Sequence, residues 1–352
     1  MNGTYPELDS LSLTELEARF RAAPPEEPDL EDAAPPEDPD LEYFQLWYEE
    51  VAIAIRKRDP NEGARFLRGQ VAGADPERLT AILLAITWFD ERDRVHADLL
   101  IECLEHPDEH VVAEAIGGLA GLGGCGLTER ILALGADPRA LVRGAVLRFA
   151  RRIVADRAPT LLLDALQDSH YIVRSNAVAE LEELDHTPGL ARIEALSEDP
   201  HPHVRQTVLS AITNLGSPGR AIPLLLDALN DPHHLVREQA VRELDQLDYK
   251  PALAKIEALL RDSHTDVRQA ALAAIAKLGP PDAAVPLLLG AMQDRHATIR
   301  FTAVNHLGDL EQFTDRATFE RMLDDPEKDV REHTRYILDH RFPEIAGEPP
   351  GS

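Results

Sequence analysis

Seven aspartates, Asp137, Asp168, Asp199, Asp231, Asp262, Asp294 and Asp325, follow one another at intervals of 31 or 32 residues. Six residues after each stands an arginine: Arg143, Arg174, Arg205, Arg237, Arg268, Arg300 and Arg331, always preceded by Val or Ile. A carboxylate and a guanidinium could do charge chemistry at a single site. A reaction centre varies from unit to unit, however, whereas a stacking device must repeat, and these fourteen residues repeat. They read as structural. Each Asp sits just ahead of a helix start, where its carboxylate can accept unpaired backbone N–H groups and favour the positive end of the helix dipole.

Other residues invite a catalytic or metal reading. Histidine stands two residues after the Asp in five consecutive units, as His170, His201, His233, His264 and His296, with His203 and His234 close by. Zinc ligands must bring nitrogens to about 2.1 Å from the metal, whereas packed helices lie roughly 8 to 10 Å apart. Histidines on successive turns are thus expected to serve turns and caps and to hold no metal. The run Gly121-Leu-Gly-Gly-Cys-Gly126 satisfies G-x-G-x-x-G, but a dinucleotide fingerprint needs a preceding strand and this run follows a helical pattern. It reads as an inter-repeat turn, with Gly216 three periods later at the place of Gly123, where glycine would supply φ > 0. The sequence shows no Ser-His-Asp or Cys-His signature, no HExxH and no P-loop. No catalytic residue, cofactor or metal is expected.

The elements behind these residues are helices. Counting from each Arg, the third residue is usually small (Ala177, Ala240, Ala271, Ala303), and the fourth, seventh and tenth are aliphatic, as in Val241, Leu244 and Leu247. That spacing is one helical face. A second apolar-periodic run precedes each Asp, so the unit is helix, Asp-led turn, Val-Arg, helix. Two kinds of unit alternate. LDHTPGLARIEALSEDPHPHVR returns 63 residues later as LDYKPALAKIEALLRDSHTDVR, and GSPGRAIPLLLDALNDPHHLVR returns as GPPDAAVPLLLGAMQDRHATIR.

The Asp-x5-Arg register, the Pro inside the first helix (Pro223, Pro286) and the 31-residue period resemble short HEAT repeats of the phycobilin-lyase type, over about Asp108 to Phe342. The resemblance implies an all-α, right-handed α-solenoid of the HEAT/armadillo kind. It also implies a ladder in which each Arg meets an Asp as a charge-assisted pair between layers. Among similar helical-repeat proteins, deoxyhypusine hydroxylase binds iron through His-Glu dipeptides, and here Glu332-His333 is the nearest approach, reversed and solitary. Helical-repeat DNA glycosylases use a basic concave face, and this chain has no such bias.

Composition agrees with an all-α chain: 352 residues are 44% hydrophobic but only 5% aromatic, which suits closely packed helices. Residues 1–40 are expected to form a disordered acidic Pro-rich tail, since Ala22 to Asp40 has little to bury. Residues 41–105 should be a helical N-terminal cap, with Leu41, Phe44, Trp47, Tyr48, Val51 and Ile55 as its apolar face and PERLTAILLAITWFD and RVHADLLIECLEH as a helix pair. Residues 106–342 should hold about eight units, the first degenerate, and 343–352 a disordered tail.

The net charge is −27, and the first 50 residues hold 15 Asp or Glu against Arg19 and Arg21. That sign opposes phosphate binding, so nucleic acid is not an expected partner. No leader and no run of 18 apolar residues is read, and Cys103 and Cys125 need no bridge. A cytoplasmic monomer away from membranes is expected.

The expected function is a non-catalytic scaffold or adaptor of bacterial type that binds protein, with basic partners favoured. Its binding residues would be Asn176, Gln206, Thr207, Glu238, Gln239, Arg242, Gln269 and Asn305, polar positions on second helices that suit dispersed hydrogen bonds. Two rivals stand beside it: an acidic inhibitor or immunity protein covering a basic effector, and a phycobilin-lyase-like enzyme.

Overall fold

The computed structural model describes residues 8, 10–22, 43–88 and 97–342. Every regular element among them is helical, and the chain divides into two compact units, Met1–Leu184 and Asp185–Ser352. The first contains α1 (Leu13–Arg21), α2 (Tyr43–Arg58), α3 (Pro60–Gly69), α4 (Pro76–Trp88), α5 (Ala97–Cys103), α6 (Glu109–Gly121), α7 (Thr128–Ala133), α8 (Ala140–Ile153), α9 (Ala158–Ala165) and α10 (Tyr171–Glu183). The even-numbered helices pack in file, α2 on α4, α4 on α6, α6 on α8 and α8 on α10, and each odd-numbered helix packs on the even one that follows it. This is the single-file layering of an α-solenoid, in which each pair covers the apolar stripe of the next.

The helix-pair plan starts earlier than the sequence reading places it. Residues 13–21 lie in the stretch expected as a disordered tail, yet α1 is helical because a capping box opens it. Glu15 N donates to Ser12 Oγ, and Ser12 N donates back to the Glu15 carboxylate at 2.8 Å. Leu16 and Phe20, four residues apart, are then buried, Phe20 edge-on to Tyr48 at 5.7 Å and to Phe66 at 6.2 Å. Guanidinium groups cover this aromatic cluster, Arg21 over Phe66 and Arg78 over Tyr48. The helix α3 has no counterpart among the expected elements, since Asp59-Pro60 has the composition of a break. Asp59 is instead the N-cap, accepting from Asn61 N and Glu62 N, and Pro60 takes the first helical position, where its missing N–H costs nothing. Of the disorder expectations, residues 23–40 and 343–352 lie outside the described residues, as do Leu41 and the side chain of Phe44.

The second unit contains α11 (Leu190–Glu194), α12 (Pro202–Leu215), α13 (Pro218–Ala228), α14 (His234–Gln246), α15 (Leu253–Ala258), α16 (Thr265–Leu278), α17 (Pro281–Ala291), α18 (Ala297–Asp309), α19 (Arg316–Met322) and α20 (Lys328–Arg341). Here α12, α14, α16, α18 and α20 form the file. Their buried faces follow the spacing read from sequence: Val236, Ala240, Val241 and Leu244 on α14, and Val267, Ala271, Leu272, Ile275 and Leu278 on α16. Each fully buried Val, Leu or Ile contributes about 1.5 to 3 kcal/mol, and the small Ala positions let neighbouring helices approach.

The two alternating unit types are two backbone forms. Thr187–Gly189 and Lys250–Ala252 are 3₁₀ turns that lead into the short helices α11 and α15, each of which ends in another 3₁₀ turn. Before these units, Asp185 and Asp248 take left-handed φ of 50° and 49°, a conformation that Asp tolerates at a helix end because its short side chain can bond locally. The other type has the longer α13 and α17, with Pro223 and Pro286 inside them.

Candidate protein-binding face

The turns between first and second helices are built alike. Asp168 Oδ1 accepts from His170 N at 2.8 Å, and the same bond two residues on is made by Asp137, Asp199, Asp231, Asp262, Asp294 and Asp325. The helix N-cap is therefore not the Asp but the residue two further on. At His170, His201 and His233 the ring Nδ1 caps the helix by accepting a backbone N–H at 3.3 to 3.4 Å. Each arginine turns Nη1 back onto its own turn, as Arg237 does onto the Asp231 and Pro232 carbonyls at 2.8 and 3.1 Å. Arg174 and Arg331 make the same pair of bonds.

In Arg143, Arg205, Arg237, Arg268 and Arg300 the remaining guanidinium N–H groups reach the Asp of the next unit. Arg143 meets Asp168, Arg205 meets Asp231, Arg237 meets Asp262 and Arg300 meets Asp325, each through two bonds of 2.7 to 2.8 Å. Arg268 and Asp294 form the loosest rung, at 3.3 and 3.5 Å. Asp137 has no such partner in the preceding unit, where Val112 replaces the arginine, and pairs with its near neighbour Arg139. Burial alone would raise the Asp168 and Asp262 carboxyls. The bonds from Arg143 and Arg237 and from the turn N–H outweigh it and hold both below the ordinary carboxylate value. At Asp325 the Arg300 bond is the largest influence, in the same direction.

The histidine file departs from the sequence reading. His234 and His264, on successive turns, stack with ring centroids 3.8 Å apart and planes 2° apart, and His233 stacks on His234 at 4.7 Å. Neighbouring turns therefore do bring histidines into contact. Among the described residues no three His, Cys, Asp or Glu are arranged to hold a metal ion. His333 of the Glu332-His333 pair bonds Asn305 Oδ1 at 3.0 Å and stacks on Phe301. Gly123, Gly124 and Gly126 have φ of 74° to 77° after α6, as a turn requires. Gly216, set beside Gly123 by period, does not: its φ is −92°, and a Cβ there would lie 2.4 Å from the Ile212 carbonyl oxygen. Close approach, not handedness, selects that glycine. Both cysteines are free, and burial, aided by the Glu102 charge, pushes the Cys103 thiol up to about 11.

Of the polar positions expected to bind a partner, Arg242 is exposed, whereas Asn176, Gln206, Thr207, Glu238, Gln239, Gln269 and Asn305 are half-buried. All but two stand one or two residues after the ladder arginine of their unit; Arg242 and Asn305 stand five after it. Several are joined to one another or to the adjoining helix. Gln269 Nε2 donates to Thr302 Oγ1 at 3.3 Å between α16 and α18, and Arg242 forks onto Glu238. Gln246 donates to Asn214 between α14 and α12, and Lys277 to Asp245 between α16 and α14. In the first unit Asn176 lies over Gly144, where a Cβ would come within 2.6 Å of its Nδ2, and Arg151 bridges α8 to Glu180 of α10. The arrangement is a row of polar groups stitched from helix to helix.

Comparison with known proteins agrees with this architecture. The family model "HEAT repeats" matches residues 189–265 and 253–338. The two matches overlap and together run over residues 189–338, less than half of the chain. The uncharacterized phycocyanin operon protein Y of Pseudanabaena tenuis is 27% identical over 146 residues, 40% of this chain and 34% of that protein. The chain thus spans about a third of the length of that curated relative. The solved structure of YibA from Escherichia coli is 18% identical with a TM-score of 0.54, over 69% of this chain and 92% of that one. Kap95p, in a complex in which its binding switches the loops of RanGDP to the GTP-bound conformation, has a TM-score of 0.53 and 14% identity, over 96% of this chain and 51% of its own. The two structures share the all-α repeat fold with this chain. No helix among the described residues is long and apolar enough to cross a membrane.

Proposed function

We propose that the chain is a non-catalytic protein-binding scaffold whose contact surface is the polar row along its second helices. The observation that carries this reading is the cross-helix stitching in the second unit: Gln246 to Asn214, Lys277 to Asp245, Gln269 to Thr302 and His333 to Asn305. Every adjoining pair of second helices in that unit contributes a bond, so the donors and acceptors are held in place before a partner arrives. Pre-set polar groups spread over several helices suit an extended protein surface, while a small ligand needs a closed apolar pocket. The charge of −27 favours a basic partner and disfavours nucleic acid.

Cross-linking mass spectrometry on the full chain with its captured partner tests this. Cross-links are expected on α12, α14, α16, α18 and α20; cross-links confined to the first helices would overturn the reading. A role as an acidic inhibitor of a basic effector makes a different demand. Partner affinity would then fall steeply with salt and with deletion of residues 1–40.

A second reading has its own support in the similarity to a phycocyanin operon protein. It makes the chain a chromophore-attachment enzyme, and protein isolated in the presence of pigment would then carry a visible absorption band.

A further inference from the structure

The helix α20 carries a side chain that the repeat plan does not explain. Among the described residues Tyr336 is the large hydrophobic group left in solvent, 58% exposed. Five residues after the other rung arginines of this unit stand Ser210, Arg242, Ala273 and Asn305, so an aromatic ring at this position is no part of the stacking device. Tyr336 belongs to a file of four rings. Phe301 of α18 stacks on His333 at 4.4 Å, His333 lies nearly parallel to Tyr336 at 6.3 Å and 11°, and Tyr336 packs on His340 at 4.0 Å. Asn305 and the Tyr336 carbonyl hold the two imidazoles at 3.0 and 2.7 Å. The file is therefore fixed in advance, and little side-chain entropy remains to be lost on binding.

The surroundings are acidic. Glu332 and Asp339, four residues before and three after Tyr336, share its helix face and are exposed, as is Asp329 one turn further back. Two of the helix's cations are committed elsewhere. Arg341 donates to the carbonyls of Leu307, Gly308, Leu310, Glu311 and Phe313, and Arg331 to those of Asp325 and Pro326. Lys328 stands 3.8 Å from Glu332, and Arg335 is exposed on the adjoining flank.

We propose that this face of α20 receives an arginine-bearing extended segment of a basic partner protein, one guanidinium lying against the exposed Tyr336 ring while Glu332 and Asp339 accept its N–H groups. Planarity decides for arginine over lysine: a guanidinium stacks on a ring and forks onto a carboxylate at once, whereas an ammonium is a point charge that does neither as well. The proposal deepens the scaffold reading and rests on it.

Fluorescence anisotropy of the full chain with a labelled peptide of alternating glycine and arginine tests it, beside glycine–lysine and glycine–glutamate peptides. The arginine peptide is expected to bind about fivefold or more tightly than the lysine peptide, and the glutamate peptide not at all. Tyr336→Ala should lose about fivefold or more in affinity for the arginine peptide, and Tyr336→Phe should retain it. Equal binding by Tyr336→Ala, or equal affinity for arginine and lysine, overturns the proposal. So does self-association in sedimentation that Tyr336→Ala abolishes while the parent ignores every peptide, since the occupant is then a second copy. Those outcomes leave the scaffold reading intact as long as a partner cross-links to α12 through α18, and loss of those cross-links sinks the scaffold reading itself.

Discussion

Arg237 holds two units together with one side chain: Nε and Nη2 each meet an Asp262 carboxylate oxygen at 2.8 Å, while Nη1 closes its own turn through the Asp231 carbonyl at 2.8 Å. The two side chains are 12% and 7% exposed, so removing one strands a buried charge. Arg237→Ala should cost about 3 to 5 kcal/mol in urea unfolding, and Arg237→Lys should recover little, because an ammonium cannot fork. Arg268→Ala, at the looser rung, should cost less. If Arg237→Ala melts within about a degree of the parent, the rung has no structural weight.

The same pairs set the acid limit. The folded Asp168, Asp262, Asp294 and Asp325 carboxyls lie below their ordinary value. Their contribution is therefore complete above the unfolded carboxylate pKa of about 3.9, and it fades as pH falls through the lower folded values. A circular-dichroism titration should show helix retained at pH 5 and lost progressively below about pH 4. A transition centred near pH 6 would point to histidines and contradict the role given to these aspartates.

Glu114 on α6 behaves in the opposite sense. Burial, helped by the Glu49 charge and opposed by Arg148, raises its carboxyl to about 7. A carboxyl raised in the folded state binds a proton that the unfolded chain has already released, so stability declines as pH rises from about 4.5 to 7. Glu114→Gln should leave stability at pH 5 nearly unchanged and add about 1 to 3 kcal/mol at pH 8, measured by urea unfolding at both.

Glycines offer a steric contrast within one turn. Gly216→Ala would drive a Cβ against the Ile212 carbonyl oxygen and should cost about 1 to 3 kcal/mol. At Gly219, three residues later in α13, an added Cβ would meet nothing within 4 Å. Gly219→Ala should be neutral or stabilise by up to about 1 kcal/mol, read from paired thermal melts.

The repeat is legible without a structure because its signals are local and recur. Val241 and Leu244 mark a helix face by spacing, and Pro223 and Pro286 mark one unit type by position. What the sequence conceals depends on single contacts. The α1 helix hangs on one capping box at Ser12 and Glu15, and α3 on Asp59 acting as an N-cap ahead of a proline. The polar row falls on the expected helices but is less open than its residue types suggest. Spacing tells which residues share a face, and only the packing of Gln269 toward Thr302 and of Asn305 toward His333 tells how far that face is covered. The ring file is hidden for the same reason: Phe301 and Tyr336 are 35 residues apart, and no local period links them.

The alternation of short 3₁₀-flanked first helices, α11 and α15, with longer proline-bearing ones, α13 and α17, sets the natural quantum of length for such a chain. Excising the 63 residues from 185 to 247 rejoins like with like, since Asp248 then takes the place of Asp185 and carries the same left-handed φ. Excising a single unit would instead set two boundaries of the same kind side by side, with mismatched turns. Shortening or lengthening by recombination should thus be tolerated in steps of two units.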